Sequence, residues 1–124
     1  MASAIVAKVY VGVIDDDDSL CRALARRLRA AGMPPIAYAS AEENLADVKQ
    51  PRFGSLVLDV QLPGMSGIEL RNQLAFKGVT TPVIFVTAHD DPNSRAAALA
   101  GVRRDPRRTG VMQRKHNQSP AHQT

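Results

Sequence analysis

Three apolar runs in this chain each end at a polar side chain suited to binding phosphate or a divalent cation. The runs and the residues that follow them are 8–14 with Asp15 and Asp16, 55–58 with Asp59, and 82–86 with Thr87. In an open parallel α/β sheet, ligands bind outside the carboxyl ends of the strands. If the runs are strands of one such sheet, at least three carboxylates and one hydroxyl group meet at the same edge.

Helical patterns separate these runs. Residues 19–31 repeat leucine every fourth position and end before a glycine and two prolines, which predicts a helix. Ser40 with Glu43 and Ser66 with Glu69 are capping-box pairs, and each predicts a helix start. Asp91 followed by Pro92 predicts the start of another helix over 93–100. Residues 36–38 are a short further strand candidate between the first two helices. The order to residue 101 is therefore βαβαβαβα, which predicts an α/β fold with a doubly wound parallel sheet and right-handed crossovers.

Composition limits the class of protein. A length of 124 residues fits one domain, and the single cysteine, Cys21, permits no internal disulfide. No run is long and apolar enough to suggest a membrane span, and we expect no signal peptide. The net charge of +4 comes from residues 102–124, where six Lys and Arg face one Asp; residues 1–101 hold ten against eleven. Residues 102–124 lack strand alternation and are predicted to be a basic, disordered tail behind a domain at 1–101.

The order and spacing of three motifs resemble the receiver domain of two-component response regulators. The motifs are VIDDDD at 13–18, LVLDVQLPGMSG at 56–67 and PVIFVTAH at 82–89. The resemblance covers residues 8–101, and DVQLPGMSG is especially similar to receivers that precede a helix-turn-helix output domain. It implies a flavodoxin-like fold with strand order 2-1-3-4 and a cytoplasmic phosphorelay function.

Roles for individual residues follow from the resemblance. Asp59 matches the phosphoacceptor, and Thr87 matches the hydroxyl residue that contacts the phosphoryl group. Asp15 and Asp16 match the acidic pair that holds Mg²⁺ together with Asp59, and Gln61 matches the position whose backbone carbonyl joins the metal site. The implied partner is a sensor histidine kinase or a histidine phosphotransfer protein. The resemblance further implies that the chain is a regulatory domain rather than an enzyme.

One family feature has no counterpart in the sequence pattern. Receivers place a lysine followed by proline at the end of a fifth strand, but Lys115 is followed by His116 among polar residues and is not assigned that role. The fifth strand and fifth helix are therefore predicted to be absent or irregular, as in a chain truncated or frame-altered near residue 101. The fourth strand would then be a sheet edge open to self-association.

Three other functions stay open at this point. The first is a phosphorylation-impaired pseudo-receiver that acts only through protein contacts. The second is a carboxylate-nucleophile hydrolase, although such enzymes usually have an acid where Gln61 stands. The third is a non-specific nucleic-acid binder. Its phosphate contacts would come from the tail arginines, which are Arg103, Arg104, Arg107, Arg108 and Arg114.

Overall fold

The computed structural model describes residues 9–47, 53–88 and 91–114, which form alternating strands and helices. The strands are β1 (Tyr10–Ile14), β2 (Pro35–Tyr38), β3 (Phe53–Asp59), β4 (Val83–Ala88) and β5 (Thr109–Arg114). The helices are α1 (Asp18–Ala30), α2 (Ala41–Ala46), α3 (Gly67–Phe76) and α4 (Pro92–Arg104). The first eight of these nine elements follow the predicted βαβαβαβα order.

The five strands form one parallel sheet in the order β2-β1-β3-β4-β5. The predicted order of the first four strands is confirmed, and β3 lies at the centre with β1 and β4 on its two sides. Because all strands run the same way, the residues that follow β1, β3 and β4 lie at one edge of the sheet.

The predicted fourth-strand edge is wrong. Residues 109–114 form β5, which pairs with β4 in register from Val83 opposite Thr109 to Ala88 opposite Arg114. The side-chain pattern of β5 does not predict a strand, because the segment is held in the sheet mainly by backbone hydrogen bonds to β4. The edges of the described sheet are therefore β2 and β5, and self-association through an open β4 edge is excluded by this pairing.

The predicted helix starts are confirmed by their caps. Ser66 and Glu69 form a complete capping box at α3, and the Ser40 side chain accepts a hydrogen bond from the Glu43 N–H at α2. The Asp91 side chain caps α4 one residue before Pro92. These caps satisfy N–H groups that have no partner inside the helix.

Side chains cover the two sheet faces unequally. On one face, α1 packs Leu20, Leu24 and Leu28 against Val11, Val13, Val57 and Val86. On the other, α2, α3 and α4 enclose a larger core whose fully buried members include Leu58, Leu70, Phe85 and Ala98. The described residues contain no fifth helix on the α1 face. There Ile84 remains 36% exposed on the strand next to the edge.

The predicted tail is only partly testable. Residues 102–104 continue α4 and residues 109–114 form β5, so the prediction of disorder is wrong for these segments. Lys115 and His116 lie outside the described residues, as does the rest of the chain after them. Among the residues the structure describes, every helix is too short or too polar to cross a membrane.

Candidate acidic site at the carboxyl edge of the sheet

Three carboxylates meet at the carboxyl edge of the sheet, as predicted. Asp15 follows β1, Asp59 ends β3, and the adjacent residues Ile14 and Leu58 are paired in the ladder between these strands. One side-chain oxygen from each of Asp15, Asp16 and Asp59 lies within 4.8 Å of the others. Asp15 and Asp59 are only 3% and 7% exposed, while Asp16 is open to solvent.

Backbone N–H groups hold the two buried carboxylates in place. The N–H of Asp17 donates to Asp15 Oδ1 at 2.8 Å, and the N–H of Gln61 donates to Asp59 Oδ1 at 2.9 Å. In both cases an aspartate accepts from the residue two positions later, the arrangement that stabilises an Asx turn. Each turn fixes one carboxylate oxygen and leaves the other for further contacts.

Arg114 places a positive charge between these carboxylates. Its Nη2 lies 2.6 Å from Asp15 Oδ2 and 3.1 Å from Asp59 Oδ2, and its Nη1 lies 3.8 Å from Asp17 Oδ2. Arg114 ends β5, opposite Ala88 and therefore next to the strand that carries Thr87. The prediction that Arg114 lies in a disordered tail is therefore wrong.

Arg114 stands at the end of the fifth strand, where the family pattern has lysine. The family pattern of lysine followed by proline does not identify it, because arginine stands here and is followed by Lys115 and His116. The usable signal was weaker: a basic residue shortly after the apolar pair Val111 and Met112, ten residues beyond the end of α4.

Burial has the largest effect on the pKa values of Asp15 and Asp59. Loss of hydration raises the pKa of Asp59 to about 6, with a further increase from the neighbouring charge of Asp15. Burial also raises the pKa of Asp15, against the lowering effects of the Asp17 N–H and Arg114. A buried carboxylate is harder to ionise because the charged form loses water. The Gln61 N–H and Arg114 offset this cost only in part at Asp59.

Thr87 supplies a buried hydroxyl group at the same edge. It is 1% exposed and follows Val86, the ladder partner of Asp59. Its Oγ1 has no hydrogen-bond partner among the described residues. A buried hydroxyl group without a partner carries an energetic cost, so a native structure that keeps one needs an explanation. A ligand oxygen bound at this edge would provide one.

The remaining predicted residues divide into two groups. Gln61 contacts the site through its backbone N–H, and its side-chain amide donates to Asp91 at the cap of α4. The role of its carbonyl group in metal binding stays a prediction. Asp17 caps α1 and Asp18 forms an exposed pair with Arg22, so these two members of the acidic run belong to the start of the helix.

The donor set fits a hard divalent cation. Carboxylate oxygens on a partly open edge suit Mg²⁺, which usually takes one or two carboxylates and keeps several waters. The exposed Asp16 leaves this edge accessible to solvent, while Asp15 and Asp59 supply buried charge. The same carboxylates also hold Arg114, so their negative charge is already partly compensated.

These features define a class of protein: a doubly wound α/β domain whose carboxyl edge carries a buried aspartate, a pair of acidic residues after the first strand and a basic side chain from the fifth strand. The family model described as the response regulator receiver domain matches residues 11–103. The chain belongs to this family of two-component signalling proteins. The resemblance of the three motifs is thereby confirmed, as is the receiver fold.

Known proteins similar to this chain agree with that assignment. Nodulation protein W of Bradyrhizobium diazoefficiens is 37% identical over 94 residues, which are 76% of this chain and 41% of that protein. A response regulator receiver protein from Burkholderia phymatum is 39% identical, with a TM-score of 0.70 and coverage of 89% of this chain and 86% of that chain.

A second similar structure shares the fold at lower identity. It is the response regulator TrrA from Thermotoga maritima in complex with Mg²⁺–BeF, 21% identical with a TM-score of 0.69 and coverage of 88% and 89% of the two chains. The chain spans about two fifths of the length of the first curated relatives it matches.

Proposed function

We propose that this chain is a phosphoacceptor receiver that takes a phosphoryl group onto Asp59 from a phosphohistidine of a sensor kinase or phosphotransfer protein. The observation that carries the proposal is the position of Asp59. It is a buried carboxylate at the end of the central strand, close to two further acids, with Arg114 3.1 Å away. The buried Thr87 hydroxyl, which lacks a hydrogen-bond partner among the described residues, supports the same conclusion.

Asp15, Asp16 and Asp59 would hold Mg²⁺, with the carbonyl group of Gln61 as a further ligand. When bound, Mg²⁺ neutralises phosphoryl oxygens and lets an anionic carboxylate approach them. The cluster of three carboxylates supports this cofactor. The solved TrrA complex contains Mg²⁺ in a protein of the same fold.

The chain's own residues divide the transfer step between them. An oxygen of ionised Asp59 forms the new O–P bond while the N–P bond of the phosphohistidine breaks, and its electron pair stays with the imidazole nitrogen. The Gln61 N–H orients the Asp59 carboxylate through Oδ1. Arg114 shifts its N–H groups from the Asp15 and Asp59 carboxylates towards the added phosphoryl oxygens. Charge-assisted bonds of this kind are among the strongest in proteins.

Thr87 would complete the site by donating its hydroxyl to a phosphoryl oxygen. Such a bond links the chemistry at β3 to the end of β4 and the loop that leads to α4, where a change of surface signals onward. In this proposal the chain is a regulatory domain rather than an enzyme with its own substrate. A cytoplasmic location is proposed with it, since the one cysteine, Cys21, is free and buried.

The test is intact-mass measurement after incubation with acetyl phosphate, with and without Mg²⁺. We expect one phosphoryl adduct in the wild type and none in Asp59→Asn. Asp18→Asn is the matched control, because Asp18 belongs to the same acidic run but its side chain is 79% exposed and pairs with Arg22. Arg114→Gln should still be labelled, about tenfold more slowly, since a charge near the transferred group typically contributes this much or more.

Three results would contradict the proposal. A wild type that stays unlabelled at millimolar acetyl phosphate and Mg²⁺ would favour the pseudo-receiver, which acts by protein contact alone. An adduct that persists in Asp59→Asn would place the acceptor elsewhere. Labelling lost equally in Asp18→Asn would show that the acidic run acts only through its total charge.

A further inference from the structure

A second candidate site lies at the opposite end of the sheet from the acidic pocket. A cavity of about 440 Å³ opens between the end of α3, the start of β4 and the connection from α4 to β5. Its volume falls within the range of small-molecule sites, roughly 300–1,000 Å³. None of the residues that line it belongs to the acidic site, so its occupant must be explained separately.

Three arginines line this cavity. Arg71 comes from α3, Arg104 from the last turn of α4, and Arg108 from the turn before β5. None of the three forms an ion pair with a carboxylate among the described residues. Asp105 also lines the cavity, which leaves two positive charges in excess. A phosphate monoester carries about −1.5 to −2 at neutral pH and would balance them.

Arg71 is the most buried of the three arginines. Its Nη2 lies 3.5 Å from Oγ1 of Thr109, a buried residue at the start of β5. Its side chain is half-buried, whereas Arg104 and Arg108 are exposed at the rim. A guanidinium group fixed by one contact keeps further N–H donors for a bidentate contact with phosphate.

The rest of the lining is mixed, and its polar members are Asn72, Thr80, Thr81 and Thr109. Leu56 and Leu74 are only 2% and 6% exposed, so the accessible apolar surface comes from Ala75 and Val79. Apolar walls with a few convergent polar groups are typical of sites for organic ligands. A simple inorganic anion would use the arginines but leave this surface uncovered.

We infer that this cavity binds a small organic phosphate, with the phosphate between Arg71, Arg104 and Arg108 and an apolar or aromatic body over Ala75 and Val79. The observation behind it is a cavity of ligand size that combines this accessible apolar surface with three arginines that have no carboxylate partner among the described residues. This site does not use Asp59, so its test is independent of the phosphoacceptor proposal.

The experiment is titration calorimetry with ADP as the probe, in low-salt buffer freed of divalent cations. Adenosine lacks the phosphates and pyrophosphate lacks the organic body. We expect ADP to bind at least about tenfold more tightly than either of them, since each lacks one half of the proposed contacts. The double variant Arg104→Gln, Arg108→Gln should weaken ADP binding by a similar factor.

A matched control comes from the neighbouring arginines. Arg103 and Arg107 are exposed but do not line the cavity, so Arg103→Gln with Arg107→Gln removes the same charge and should change ADP binding less than about twofold. Equal weakening in both double variants would overturn the site in favour of a diffuse basic surface. Pyrophosphate binding as tight as ADP, or no saturable ADP binding at millimolar concentration, would overturn it as well.

Discussion

At the scale of single residues, the acidic site is a balance between buried negative charge and one guanidinium group. Asp15 and Asp59 are more buried than ionised side chains usually are, and Arg114 lies within 3.1 Å of both. Buried carboxylates that must be ionised lower the stability of a fold and favour the binding of cations. The site therefore gives up some stability of the ligand-free protein in favour of binding.

This balance predicts a pH-dependent gain of stability in Asp59→Asn. The folded protein holds the pKa of Asp59 at about 6, above its ordinary value of 3.8. The contribution of this group to stability is therefore present below pH 3.8 and is lost as pH rises through about 6. The amide that replaces the carboxyl group does not titrate. We expect the variant without metal to be about 1–2 kcal/mol more stable than wild type above pH 7, with the difference shrinking towards about pH 4.5.

Urea unfolding at several pH values, in buffer without divalent cations, measures this difference. Asp18→Asn serves as the control, since the Asp18 side chain is 79% exposed and should give no such pH-dependent gain. A gain in Asp59→Asn that is the same at about pH 4.5 and pH 8 would show that ionisation of Asp59 is not its cause.

At the scale of elements, the close contact between α3 and the end of β3 fixes the position of Asp59, the proposed phosphoacceptor. Gly67 begins α3, and its N–H donates to the carbonyl oxygen of Val60 at 3.1 Å. A Cβ atom at this position would overlap the carbonyl oxygen of Asp59 and lie 2.9 Å from its carbonyl carbon. Only glycine allows the helix to start this close to the strand.

Gly67→Ala is accordingly expected to destabilise the protein by about 2–3 kcal/mol, because backbone atoms of Asp59 and Val60 must move. In a helix without this contact the same change usually stabilises by roughly 0.5–1 kcal/mol. Gly110→Ala in β5 is the control, where the nearest atom to the new Cβ, Ile84 Cγ1, is 3.8 Å away. Thermal and urea unfolding measure the free energy of unfolding of both variants. Equal free energies for Gly67→Ala and Gly110→Ala would show that α3 can shift to make room for the new Cβ atom.

At the scale of the whole molecule, β5 connects the sheet edge to the acidic site. It covers the side of β4 and carries Arg114 to the carboxylates, while its first residue, Thr109, contacts Arg71 at the opposite end. Without β5, the β4 strand would expose unpaired backbone groups beside the apolar side chain of Ile84. Such an edge is prone to association.

A chain shortened to end at Asp105 should therefore lose most of its stability and associate. The deletion removes a full strand pairing and the only described cation at the acidic site, which we expect to lower the free energy of unfolding by more than about 3 kcal/mol. Thermal melting and light scattering measure both effects. A chain ending at Arg114 keeps β5 and should be clearly more stable than the chain ending at Asp105. A shortened chain that melts like the full chain as a monomer would contradict this role of β5.

Much of the acidic site could be predicted from the sequence because its signals are local. An apolar run followed by an aspartate predicts a strand and places the aspartate at its carboxyl end. Ile14 with Asp15 and Leu58 with Asp59 are the two examples. Parallel pairing then brings such strand ends together without further information. Capping pairs such as Ser66 and Glu69 give the helix starts equally locally.

The conformation of residues 102–114 is determined by tertiary contacts and could not be predicted from their own sequence. β5 has few apolar side chains and gains its order from backbone pairing with β4, an interaction that leaves little trace in its own residue pattern. Arg114 is 99 residues from Asp15, so no local spacing predicts their contact. The cavity lined by Arg71, Arg104 and Arg108 likewise exists only because α3, α4 and β5 meet in space. Side-chain chemistry is set locally by the sequence, whereas contacts between distant segments depend on how the whole sheet assembles.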